Sequence, residues 1–152
     1  MTKTPSPSDY RATPYIICDD AAKAIEWYVT VFGAEEMISL KDPSGKVMHA
    51  EVRVGDAPIM IADEFPEMGY KSPKTLGGSP VAMYLYVDDV DATFKKAIEN
   101  GAEAIKQVED EFDGDRRGSI TDPFGHNWYL ATSNESISYD ELKARFDKMM
   151  QG

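Results

Sequence analysis

The feature that most limits what this chain can fold into is a repeat of part of itself. Tyr15–Glu36 (YIICDDAAKAIEWYVTVFGAEE) lines up with Tyr84–Ala104 (YLYVDDVDATFKKAIENGAEA), so that Asp19-Asp20 falls on Asp88-Asp89 at an offset of 69 residues. Gly33-Ala34-Glu35 then falls on Gly101-Ala102-Glu103 with one residue deleted. Each copy reads as a short apolar strand, an acidic pair and a helix closed by glycine. Such a chain must build two equivalent units, each with its own apolar helix face to bury.

The residues at each boundary have a mechanism. Asp20 and Asp89 stand at helix starts, where a carboxylate accepts from backbone N–H groups that the first turn leaves without partners. Ala21, Ala24, Ile25, Tyr28 and Phe32 recur at helical spacing in the first copy, and Val90, Phe94, Ala97 and Ile98 in the second. Gly33 and Gly101 are expected to stop the helices, because glycine takes the left-handed conformation without steric cost.

After each helix the period becomes that of a strand. Strands are predicted near 36–41, 46–54 and 58–63, joined by DPSG (Asp42–Gly45) and GDAP (Gly55–Pro58) turns. In the second copy they fall near 103–109, 116–122 and 127–132, the last two joined by DPFG (Asp122–Gly125). The predicted fold class is α+β, with tandem β-α-β-β-β modules over 11–63 and 81–132 inside one domain. Residues 64–80 have the Gly, Pro, Ser and Lys content of a linker, read first as a plain surface connector and second as a lid. An amphipathic helix is expected over 138–150, with Ser138 as N-cap and Leu142, Phe146 and Met149 on one face, covering the core or a partner subunit.

Charge narrows the partners. With 27 acidic and 16 basic side chains the net charge is −11, so the basic field needed for nucleic acid or an anionic membrane is absent. No apolar run reaches the roughly 20 residues of a membrane span. Met1–Ser8 lacks an apolar h-region and reads as a frayed tail, not a secretory signal. The single cysteine, Cys18, cannot form an internal disulfide, which fits a cytoplasmic setting. Many acids have structural places: the two Asp pairs begin helices, and Glu109–Asp115 is expected to fill a loop.

Two modules of this kind, with D-D before the first helix and D-P-F-G-H before the last strand, resemble the vicinal oxygen chelate superfamily of glyoxalase I, bleomycin-resistance proteins, fosfomycin-resistance enzymes and extradiol dioxygenases. Gly78–Ala102 and Gly114–Thr132 look most like its PhnB-like branch. The resemblance covers roughly residues 11–133 and implies paired modules whose strands curl into a cup-shaped mixed sheet. It also implies metal ligands on the first and fourth strand of each module. By register these positions fall on Thr13, Met60, Ala82 and Tyr129, none of which is His, Glu, Asp or Gln. The family's divalent metal would require imidazole or carboxylate groups there, so a metal-free site without cofactor is expected. The branch has carried a ubiquinone-methyltransferase label, but no glycine-rich cofactor loop supports methyl transfer here.

Candidate site residues follow from parity. In Met48–Val54, strict alternation puts His49, Glu51 and Arg53 on one face. That face either lines the cup and supplies a ligand-binding or proton-transfer pair, or is simply a charged solvent face. His126 reads as a hairpin residue. Asp113, Asp115, Arg116 and Arg117 form the one dense polar cluster of the second module, with internal Asp–Arg pairing as the simpler reading. Counting from Asp122, Arg117 and Ser119 face the cup and Arg116 does not, so Arg117 is the candidate for ligand contact. Tyr15, Tyr84, Tyr86 and Tyr129 share the cup-facing parity and suit a flat or cationic molecule. Trp27, Tyr28 and Trp128 are expected between helix and sheet, and Met48, Met60 and Met83 as gap-filling core.

Three functions remain open. The first is a small-molecule binding protein with a metal-free cup closed by two chains of a homodimer. The second is a divergent lyase or dioxygenase-like enzyme using His49 and Glu51, with or without a divalent metal. The third is an accessory protein that works through its surface.

Overall fold

The computed structural model describes residues 12–152; the expected tail over 1–8 lies outside them. The chain forms two compact units, one running to Val81 and taking in Asp122–His126, the other made of Ala82–Thr121 and Asn127–Gly152.

The first unit runs β1 (Tyr15–Cys18), α1 (Ala21–Phe32), β2 (Glu35–Lys41), β3 (Val47–Val54) and β4 (Ala57–Asp63). Its sheet has the order β1-β4-β3-β2, with β1 parallel to β4 and the other pairs antiparallel. Asp20 Oδ1 accepts from the Lys23 N–H at 3.1 Å, and Gly33 closes α1 at φ 68°. Ala24, Ile25, Tyr28 and Val31 of the helix are buried, as are Ala50, Val52, Val54, Ile59 and Ile61 of the sheet. Each fully buried Val or Ile side chain contributes roughly 1.5–3 kcal/mol. Cys18 is wholly buried, and burial pushes its thiol well above the usual range, reinforced by Asp122 and Asp19.

The alternation expected along β3 breaks at its start. The β2–β3 register shifts between Leu40, opposite His49, and Lys41, opposite Val47, which is the signature of a bulge at Met48. Val47 turns inward, its N–H donating to the buried Asp63 Oδ2 at 2.7 Å. Asp63 Oδ1 takes the Ala21 N–H at the start of α1, at 2.8 Å. Met48 is therefore 48% exposed, which overturns the expectation that it fills the core.

Residues 64–80 are folded. Phe65 and Tyr70 exchange backbone hydrogen bonds of 2.8 and 3.1 Å around a 3-10 turn over Pro66–Met68, and the short helix α2 (Pro73–Leu76) follows, capped by Ser72. Lys46 Nζ sits 3.9 Å from the centre of the Phe65 ring. The 122–126 turn is held from inside: Asp122 Oδ1 accepts from the Phe124 and His126 N–H groups at 2.9 and 3.0 Å. Its Oδ2 accepts from the Tyr28 hydroxyl at 2.5 Å. His126 Nε2 lies 2.8 Å from the Ile17 carbonyl, in keeping with its reading as a hairpin residue.

The second unit repeats the plan: β5 (Ala82–Tyr86), α3 (Val90–Glu99), β6 (Glu103–Asp110), β7 (Asp115–Thr121) and β8 (Asn127–Ser133), in the sheet order β5-β8-β7-β6. Asp89 caps the Ala92 N–H at 3.1 Å. Val90, Phe94 and Ala97 are buried, but Ile98 is 38% exposed and does not join the stripe expected of it. The loop expected over 109–115 is shorter, because Glu109 and Asp110 belong to β6 and Asp115 to β7. The helix α4 (Tyr139–Met150) is capped by Ser138. It is tied back through Arg145, which pairs with Glu135 at 2.6 Å and donates to the Phe112 carbonyl. Among the described residues no side chain of α4 is buried, so it does not cover the core.

Candidate functional site

In each unit the sheet face turned away from the helix carries the polar and aromatic side chains. In the first unit, Tyr15 pairs in register with Met60, Ile17 with Ala62, and Glu51 of β3 with Met60. The face therefore collects Tyr15, His49, Glu51 and Met60. His49 Nε2 lies 3.1 Å from Glu51 Oε1, and the Tyr15 hydroxyl lies 2.8 Å from His49 Nδ1. An ionised carboxylate can only accept, so in the neutral imidazole the proton between Glu51 and His49 sits on Nε2 and leaves Nδ1 as an acceptor for the Tyr15 O–H. Burial, with Tyr70 and Glu51 adding to it, pushes the Tyr15 hydroxyl above its ordinary pKa. Tyr15 thus stays a neutral donor at physiological pH. Arg53, predicted for the same group, lies further along β3 beside Pro58 and Glu35. It is exposed and makes no ion pair among the described residues.

Beside this triad a pocket of about 340 Å³ opens. Tyr15, Ile17, Ala62 and Asp63 form its strand wall, with the bulged Met48; Phe65, Met68 and Tyr70 close the other side. Its size falls in the range of small-molecule sites, roughly 300–1,000 Å³. The 64–80 segment is thus a wall of the pocket and not a plain connector. Sequence reasoning missed Phe65, Met68 and Tyr70, although three large apolar residues within six positions of a Gly- and Pro-rich stretch were a usable signal.

The second unit brings together the remaining predicted residues. Tyr84 stacks on its register partner Tyr129, with ring centres 5.6 Å apart, and Tyr86 lies 5.2 Å from Tyr84. The Tyr84 and Tyr86 hydroxyls both donate to Asp115 Oδ2, at 2.6 and 2.9 Å. Arg117 Nη1 donates to the Tyr84 hydroxyl and to Asp113 Oδ2, each at 2.8 Å. Arg116 turns to the helix side and pairs with Asp91 of α3 at 2.8 Å, as parity required. Burial and the bond to Asp115 raise the Tyr84 hydroxyl, while for Tyr86 the Asp115 bond is the larger cause. Burial would lower the Arg117 guanidinium, but its bonds to Asp113 and Tyr84 hold it above its ordinary value. Glu111, Asp113 and Asp115 all lie within 3.9 Å of Arg117. Its charge is compensated inside the chain, so an anionic ligand would have to displace these carboxylates. Asp113 and Asp115 thus place acids beside Arg117 and the Tyr84–Tyr86 pair.

The residues beside Met60 and Tyr129 on the first strands are Tyr15 and Tyr84, two positions beyond Thr13 and Ala82. Methionine and tyrosine in these four places do not fit a divalent metal that prefers imidazole and carboxylate. Among the described residues no group of three or more His, Cys, Asp or Glu side chains is placed to hold a metal ion. No helix among them is long and apolar enough to cross a membrane.

The comparisons agree with this architecture. The uncharacterized protein Mb0911c of Mycobacterium bovis is 41% identical over 143 residues, covering 92% of this chain and 94% of its own length. The crystal structure of the Arabidopsis thaliana gene product At5g48480 is 26% identical with a TM-score of 0.64, covering 80% of this chain and 98% of that one. The PhnB protein from Bacillus cereus shares the fold at 16% identity, with a TM-score of 0.65 and coverage of 81% and 99%. Residues 11–130 match the family profile described as glyoxalase/bleomycin resistance protein/dioxygenase superfamily. Tandem modules, a register that pairs first and last strands in parallel, and this match over most of the sequence make the chain a member of that superfamily.

Proposed function

We propose that the protein binds a small, largely apolar molecule in the pocket of the first unit, without a metal. The observation that carries this reading is the pocket itself: about 340 Å³, walled by Met48, Phe65, Met68 and Tyr70, with the Tyr15–His49–Glu51 triad at its polar edge. Aromatic and methionine walls adapt to flat ligands, and one placed polar group fixes their orientation.

A thermal-shift screen with bicyclic aromatic compounds tests it. A ligand at 100 times its Kd should stabilise the protein by about 2.7 kcal/mol, with the shift growing with concentration. Met48→Trp, a change at an exposed position that narrows the pocket, should weaken binding at least about ten-fold while leaving the fold intact. No stabilisation by any compound, or equal binding to the variant, would overturn the proposal.

The enzyme reading has one observation in its favour, the hydrogen-bonded triad, since a histidine held by a carboxylate is a ready proton carrier. Stoichiometric Ni, Zn, Fe or Mn in purified protein that disappears on His49→Ala would favour it over metal-free binding.

We further infer a homodimer. Tyr84, Tyr86 and Tyr129 form a ring cluster on one sheet face, 45, 58 and 43% exposed, the kind of surface that a second chain covers. Sedimentation at micromolar concentration should give about twice the chain mass of 16.9 kDa; a monomer would contradict it.

A further inference from the structure

We infer that the Glu51–His49–Tyr15 relay fixes the hydrogen-bonding polarity of the pocket, so that its ligand is an apolar aromatic molecule carrying a hydrogen-bond donor. The inference rests on the proposed pocket and names the class of molecule it takes. Glu51 is 8% exposed and holds the Nε2 proton of His49 at 3.1 Å. In the neutral imidazole His49 Nδ1 is then a lone pair, and the Tyr15 proton is used to satisfy it across 2.8 Å. Tyr15, 49% exposed and lining the pocket, has only oxygen lone pairs left to offer. Turning its proton toward a ligand would strand Nδ1 without a donor once the ligand fills the pocket and displaces water, which is costly. A phenol, aromatic amine or indole N–H therefore completes the relay, whereas an acceptor-only ring meets a second acceptor.

A Tyr hydroxyl is by itself both donor and acceptor, so its own position gives the relay no sense of direction. The carboxylate at the far end removes the ambiguity. Glu51 is in this sense a positioning residue for specificity that touches no ligand.

The test uses two flat probes of similar size, 2-naphthol as donor and quinoline as acceptor only. The wild-type protein should bind 2-naphthol at least about ten-fold more tightly, since a site built to receive a hydrogen bond rejects the analogue that lacks it. In Glu51→Gln the side-chain amide can present either its oxygen or its NH₂ to Nε2, so both tautomers become available and the preference should fall below about three-fold. Tyr15→Phe removes the terminal group and should abolish the preference in a folded protein, whatever the stability of the Glu51 variant. The ¹⁵N spectrum of His49, recorded without ligand, should show the Nε2–H tautomer in the wild type and a mixture in Glu51→Gln.

Equal binding of both probes, an unchanged preference in Glu51→Gln, or an Nδ1–H tautomer in the wild type would each overturn the inference while leaving the pocket standing. Binding of neither probe would overturn it together with the pocket reading.

Discussion

Replacing Asp122 with alanine is expected to lower the unfolding free energy by about 3–5 kcal/mol, a large effect for a single polar substitution. The side chain is 3% exposed and serves two purposes at once. Oδ1 receives the Phe124 and His126 N–H groups and shapes the turn. Oδ2 receives the Tyr28 hydroxyl, whose residue is wholly buried in α1. Alanine strands three donors away from water, each at roughly 1–3 kcal/mol, with partial relaxation reducing the total. Tyr28→Phe removes one bond and no backbone partner, and should cost only about 1–2 kcal/mol. Urea unfolding of the three proteins decides it; a loss below about 1 kcal/mol for Asp122→Ala would show that the turn is held by something else.

Gly118→Val should cost about 3–4 kcal/mol, for a reason of space alone. A Cβ built on Gly118 meets Val108 Cγ2 at 2.9 Å, the Lys106 carbonyl oxygen at 3.1 Å and Phe94 Cδ2 at 3.1 Å. The backbone there is ordinary strand, so glycine is required by the close approach of β7, β6 and α3 and not by its conformational freedom. In Gly118→Ala the overpacking is partly offset by a gain of about 0.4–1 kcal/mol from a stiffer unfolded chain, leaving a net loss of about 0.5–2 kcal/mol. A variant as stable as wild type, measured by the same unfolding experiment, would mean that α3 shifts freely on its sheet.

What could be read from the sequence was local or periodic. Asp20 and Asp89 cap, Gly33 ends its helix, and the strands lie within a residue or two of their expected places, because these features depend on neighbours within one turn or hairpin. What could not be read depends on residues far apart in the chain. The bulge that exposes Met48 is fixed by Asp63, 16 positions from Val47, and the acidic partner of Tyr84 is Asp115, 31 positions away. That Tyr15 and Tyr84 are the strand partners of Met60 and Tyr129 is likewise a matter of the β1–β4 and β5–β8 registers, which packing sets and no motif shows. Phe65, Met68 and Tyr70 sat in a segment whose composition spoke for a linker, while its backbone bonds between Phe65 and Tyr70 make it a wall. The face shared by His49 and Glu51 was legible from alternation, and Tyr15 from its parity; that the Tyr15 hydroxyl meets His49 shows only with β1 and β3 on one sheet.

The methionine methyl groups offer the most direct test of small-molecule binding in the first unit. Met48 and Met68 line the pocket, while Met149 and Met150 lie on the exposed α4. In a spectrum of protein carrying ¹³C-methyl methionine, titration with 2-naphthol should move the Met48 and Met68 resonances together, along one saturable curve. Met149 and Met150 should stay where they are. Shifts at the α4 methionines, or no saturable change at Met48 and Met68 up to millimolar ligand, would contradict binding in this pocket.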